Sequence, residues 1–116
     1  MKRDRESGAV VTVIRTEAGS IKSITTEGHS GYAASGADII CASVSSLMQA
    51  LWIGLEEILK VSDLSAERDG EIPRMALAWD PDIHGTQLLA RTIARSLEAI
   101  GESYPDYVEY REIMEK

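Results

Sequence analysis

The run Ala9-Val10-Val11-Thr12-Val13-Ile14-Arg15 is dense in β-branched residues and predicts a strand, because branched side chains suit a pleated, half-buried surface. Glu17-Ala18-Gly19-Ser20 reads as a turn, and Ile21-Lys22-Ser23-Ile24-Thr25-Thr26-Glu27 as the returning strand of a hairpin. The period then changes. Ile40, Val44, Leu47, Leu51, Leu55 and Ile58 recur at helical spacing and fall on one stripe of a helix expected over residues 37–60. Ser35 followed by Asp38 resembles a capping box with Asp in the Glu position, so the helix is expected to start near residue 36 or 37.

Residues 63–68 and 71–79, joined by the Asp69-Gly70 turn signal, predict a second hairpin, with Pro73 at an edge position or bulge. Asp80-Pro81-Asp82 interrupts the pattern. A second helix is expected over residues 85–103, with Leu88, Leu89, Ile93, Leu97 and Ile100 on its apolar face. Pro105 closes it, and residues 107–111 read as a last short strand. The order ββαββα, with that possible final strand, is an α+β fold: an antiparallel sheet of two β-hairpins with two helices packed against it.

Length adds that residues 1–116 form one domain, large enough for a continuous core without a disulfide or metal staple. The one cysteine excludes an internal disulfide and a Cys-only zinc site, and neither CxxC nor HxxxH spacing occurs, so no metal or cofactor is expected. The charged start Met1-Lys2-Arg3-Asp4-Arg5-Glu6 lacks a following apolar region, and no run is expected to span a membrane, which together favour a cytoplasmic address. A net charge of −7 argues against a nucleic-acid-binding surface and favours basic partners at low salt.

The chemistry concentrates in Gly28-His29-Ser30-Gly31-Tyr32-Ala33-Ala34-Ser35-Gly36-Ala37-Asp38-Ile39-Ile40-Cys41. A thiol becomes a nucleophile near neutral pH when a base or cation and local positive potential hold it as thiolate. Cys41 is expected in the first turn of the long helix or just beyond, where unpaired N–H groups supply that potential. His29 can supply the base if the chain folds back, which makes the two a candidate dyad. The plain alternatives are an inert half-core cysteine and a histidine that caps a turn.

Asp38, Cys41 and Ser45 project from one side of the helix, a polar flank beside the apolar stripe. Asp38 serves either as a cap or as the orienter of His29; Ser45 donates to the thiolate or bonds back to its own helix. Gly28 and Gly31 allow a sharp turn that aims the imidazole, and with Gly36 they make a candidate flexible loop over residues 30–36. His84, at the start of the second helix, is the rival partner for Cys41 and ranks behind His29.

The segment from Gly28 to Cys41, continued by Ala42-Ser43-Val44-Ser45-Ser46-Leu47, resembles the signature of the ribosomal-processing cysteine protease Prp family. Hairpin, long helix, second hairpin, helix and a Tyr104-Pro105-Asp106-Tyr107-Val108 tail extend the resemblance along the chain. It implies His29 as base and Cys41 as nucleophile, with Asp38 and Ser45 matching further polar positions. It also implies a cytoplasmic homodimer that cuts a short N-terminal extension from a basic ribosomal protein of the large subunit, after bulky apolar and aromatic residues. The alternative of another class is a dimeric ribosome-assembly binding protein that never cuts its partner.

Overall fold

The first β-branched run becomes β1 (Ala9–Arg15), which pairs antiparallel with β2 (Ile21–Gly28) as a hairpin. Val11, Val13, Ile21 and Ile24 are fully buried while Val10, Thr12 and Ile14 are only half-buried. That alternation marks a sheet with one covered face. The computed structural model describes residues 8–28, 35–69 and 74–115, and residues 35–38 by their backbone alone.

The second hairpin is β3 (Ser65–Asp69) against β4 (Arg74–Ala78); the Gly70 and Pro73 positions lie outside the described residues. The five strands follow the order β3-β4-β2-β1-β5, with β5 (Val108–Met114) at the edge. The α+β class agrees with the sequence, but the sheet is mixed and not purely antiparallel: β5 runs parallel to β1 along its whole length. The cause is α2 (Thr86–Ser103). It connects β4 to β5 across two intervening strands, and parallel strands need a crossover of this kind. The long helix α1 (Ser35–Ile53) likewise carries the chain from β2 to β3.

Ile40, Val44, Met48, Leu51 and Leu55 form the buried side of the long helix, so Met48 joins the expected stripe. Ile58 leaves it and is 74% exposed. After Ile53 the helix widens into a π turn, Gly54–Ile58, closed by the Leu59 N–H donating to the Gly54 carbonyl at 2.8 Å. A π turn inserts an extra residue per bond, and the phase extrapolated from 3.6 residues per turn then fails. Lys60, at φ 52°, turns the chain out of the helix.

α2 buries Thr86, Ala90, Ile93, Ala94 and Leu97. Leu88, expected on that face, is 77% exposed, because two residues rotate it roughly 200° from Ala90. Small residues hold the contact side. A Cβ on Gly54 would lie 2.5 Å from Leu89 Cδ2, so glycine lets the two helices approach closely there. The segment Ile39–Ile58 does reach the length and apolarity of a membrane-spanning helix, contrary to the sequence expectation, although its buried stripe is spent on the core.

Candidate active site

Cys41 lies half-buried in the second turn of α1. The helix starts at Ser35, one or two residues before the expected point, and this has a chemical consequence. Only the first four N–H groups of an α-helix lack an intrahelical acceptor. The N–H groups of Ile40 and Cys41 lie past them, inside the ladder, and are not available to a developing oxyanion.

Ser45 is exposed one turn beyond Cys41, on the same flank. Asp38 contributes a helical backbone position at i−3, and its side chain lies outside the described residues. The back-bond considered for a helical serine is made by Ser43, whose Oγ donates to the Ile39 carbonyl at 3.0 Å. Between Asp38 and Glu56 the helix bears no ionisable side chain except Cys41. Any cation that stabilises its thiolate therefore comes from another segment.

His29 and Gly31 lie outside the described residues, and with them the dyad distance and the loop after Gly28. Two of the three glycines assigned to that loop belong instead to regular elements. Gly28 closes β2, and Gly36 is the second residue of α1. Gly28 has φ 148°, and a Cβ there would meet the Gly8 carbonyl oxygen at 2.3 Å. Only glycine fits so tight a contact with β1 at the residue that precedes His29.

The rival histidine is far away. A Cβ on Gly85, next to His84, would stand 2.8 Å from Leu59 Cδ2, at the end of the π turn. Leu59 is 18 residues beyond Cys41, so roughly 25 Å of helix separates the two sites. A groove of about 550 Å³ between α2 and β5, lined in part by Arg15, Arg91, Tyr110 and Glu112, runs toward the C-terminal end of β1 and includes no candidate site residue. Among the described residues no cluster of three His, Cys, Asp or Glu side chains can hold a metal ion.

A five-stranded α+β domain with a half-buried thiol on the flank of its first helix is the class that fold and site define. The chain belongs to the cysteine protease Prp family, whose family model matches residues 9–109. The essential ribosomal processing protease Prp from S. aureus, solved with a substrate peptide, superposes with a TM-score of 0.80 at 19% identity, over 90% of this chain and 99% of that one. The same protease with a covalently linked product peptide gives 0.77 at 20% identity, over 90% and 99%. SMU.848 from Streptococcus mutans gives 0.82 at 26% identity, over 96% of this chain and 98% of that one. No curated protein matches the chain in sequence.

Proposed function

We propose that this chain is a cysteine endopeptidase that removes the N-terminal extension of a large-subunit ribosomal protein in the cytoplasm, with Cys41 as nucleophile and His29 as base. The observation that carries the reading is the half-buried Cys41 on the polar flank of α1, in a chain of the cysteine protease Prp family. Base and nucleophile bracket one short connection: His29 follows the last residue of β2, and Cys41 is six residues beyond the start of α1. The S. aureus relative is described with substrate and covalently linked product peptides, which fits acyl transfer through a thioester.

In the proposed reaction His29 accepts the thiol proton and the Cys41 sulfur attacks the scissile carbonyl. The C–N bond breaks as the imidazolium returns that proton to the leaving amine, and water then hydrolyses the thioester. Acid–base assistance of this kind is worth about 10²–10⁴-fold. Asp38 and Ser45 support the site, from the turn before Cys41 and the turn after it. The enzyme works as a homodimer, and its charge of −7 draws a basic substrate at low salt.

Mass spectrometry of the ribosomal protein, incubated with this chain and with Cys41→Ala, tests the proposal. The wild type should release the extension and Cys41→Ala should not. Equal cleavage by both would remove Cys41 from the mechanism, and an intact protein that remains bound would favour a non-catalytic binding role.

A further inference from the structure

The sheet has two edges, and they differ. β3 is five residues long and carries Glu67, Arg68 and Asp69 in succession, a short and charged strand that resists further pairing. β5 is seven residues long and lies at the other edge, with β1 on one side and no strand beyond it among the described residues. Two hydrogen bonds fix the phase of its ladder. The Ala9 N–H donates to the Tyr107 carbonyl at 2.8 Å, and the Glu115 N–H donates to the Arg15 carbonyl at 2.7 Å. In a parallel pair alternate residues bond the neighbour, so Glu109, Arg111 and Ile113 turn their main-chain groups to β1. The N–H and carbonyl groups of Tyr110, Glu112 and Met114 point outward, at the spacing a further strand needs.

The side chains of Tyr110 and Glu112 share the face of their register partners, the fully buried Val11 and Val13, so the outward amides border the groove of about 550 Å³ between α2 and β5. Leu88, 77% exposed, lines this groove together with Ala94 and Tyr110 and makes part of it apolar. Glu112 is the charge best placed to guard the edge, but Arg15 of β1 draws its carboxylate inward at 2.8 Å. Three arginines line the groove of a chain whose net charge is −7. Arg15 is engaged by Glu112, and Arg95 by Glu98 and Glu102. Arg91 has no ion partner among the described residues. α2 runs back along β5, from Gln87, which holds Ile21 beside Arg15, to Gly101, where an added Cβ would meet Tyr110 Cβ at 3.3 Å. Arg91, ten residues before Gly101 and thus roughly 15 Å along the helix, comes level with the last residues of β5.

We infer that the free edge of β5 and the groove beside it take up an extended, acidic segment of a partner protein by strand addition. Main-chain bonds to Tyr110, Glu112 and Met114 supply the pairing, and side chains at alternate positions supply the selectivity. Two residues that stand two apart in the added strand face the groove together: an apolar one over Leu88 and Tyr110, and a carboxylate at Arg91. This partner is opposite in charge to the basic substrate proposed above. β1 separates the two places, since it starts beside Gly28, ahead of His29, and ends at Arg15 in the groove. The docking site therefore stands independently of the peptidase reading.

Selection from a phage-displayed library of random short peptides tests this, on the full chain carrying Cys41→Ala so that no peptide is cut. The recovered peptides should pair an apolar residue with Asp or Glu two positions away. The same selection on a chain that also carries Arg91→Glu, at an exposed position, should exchange the acid for Lys or Arg. A recovered acidic peptide, made synthetically, should bind the Arg91→Glu chain roughly five- to tenfold more weakly. It should also slow hydrogen exchange at the amides of Tyr110, Glu112 and Met114, and N-methylation should abolish its binding at alternate residues only. No recurring pattern, an affinity indifferent to Arg91→Glu, or protection that misses these three amides would overturn the proposal. Protection of the same amides without peptide, rising with protein concentration, would give the edge to a second copy of the chain and overturn it as well.

Discussion

A methyl group on Gly28 would stand 2.3 Å from the carbonyl oxygen of Gly8 and 2.6 Å from the α-carbon of Ala9. Both are main-chain atoms, at the residue before β1 and at its first residue, and cannot swing aside. Gly19 has a comparable left-handed requirement at φ 93°, but nothing lies within 4 Å of a Cβ there. Gly19→Ala therefore incurs backbone strain alone, of order 1 kcal/mol. Gly28→Ala adds overpacking of about 1–3 kcal/mol and displaces the strand end that leads into His29. Urea midpoints should fall further for Gly28→Ala, and peptide cleavage should drop with it. Equal midpoints for the two variants would show that the close approach to Gly8 is not limiting.

Gln87 secures both backbone groups of Ile21. Its Oε1 accepts the Ile21 N–H at 2.7 Å and its Nε2 donates to the Ile21 carbonyl at 2.8 Å. The β1–β2 register shifts at this end of the hairpin, so the ladder is irregular where the amide closes it. Gln87→Ala leaves one donor and one acceptor in a part-buried place, at about 1–3 kcal/mol for each group left unsatisfied. Gln87→Glu keeps the acceptor but sets a carboxylate against the carbonyl oxygen. It should be less stable than the wild type at pH 7 and recover part of the difference near pH 4, where a protonated Glu donates again. Thermal melts at the two pH values check this, and a constant difference would dismiss the amide's donor role.

How much of this was legible in the chain follows from what each residue type can signal. The β-branched run and the 3.6 period announce a local backbone choice, so the strands, the helices and the α+β class could be read within a few residues. The parallel β5 could not, because its direction depends on a crossover by α2 and on no feature of residues 108–114 themselves. Ile58 and Leu88 illustrate the limit of extrapolated phase: a π turn rotates the first out, and close packing through Ala90 and Ala94 moves the buried stripe away from the second. Gln87 gave no signal at all, since a glutamine in a first helical turn looks like any solvated residue. At the site, Cys41 stood out by its chemistry and its glycine-rich approach, whereas its turn within the helix depended on a boundary that shifted by a residue or two.

Glu112 bridges Arg15 and Tyr110 at the far end of β5. Arg15 Nε donates to Glu112 Oε1 at 2.8 Å, and the Tyr110 hydroxyl donates to Oε2 at 2.6 Å. The Arg15 hydrogen bond, followed by that of Tyr110, holds the Glu112 carboxyl below its ordinary value of 4.5 against a smaller opposing effect of burial. A depressed carboxyl contributes stability that is present above the unfolded-state pKa and is lost as pH falls through the folded-state value. The pair is largely exposed and screened, so the contribution is under about 1 kcal/mol. Melting temperatures of the wild type and Glu112→Gln should differ most near neutral pH, converge as pH drops below about 4, and converge also in high salt. A gap that widens on acidification would reverse the assignment.

The position of Cys41 in the second turn fixes where its activation has to come from. Dipole stabilisation fades beyond the first turn, and no basic side chain lies between Cys41 and the end of its helix. In the proposed dyad, the cation that holds the thiolate is then the imidazolium of His29. Removing it should return the thiol toward the ordinary cysteine value of about 8.5. Iodoacetamide labelling at pH 6.5, followed by mass spectrometry, measures the thiolate fraction directly. Wild type should label faster than His29→Ala by about tenfold for each unit of pKa that the imidazolium supplies, and the two rates should converge near pH 10, where both thiols are ionised. His84→Ala should label like the wild type, because the neighbouring Gly85 meets Leu59, roughly 25 Å of helix beyond Cys41. Equal rates for wild type and His29→Ala at pH 6.5 would take His29 out of the dyad and leave the thiol dependent on a group from another segment.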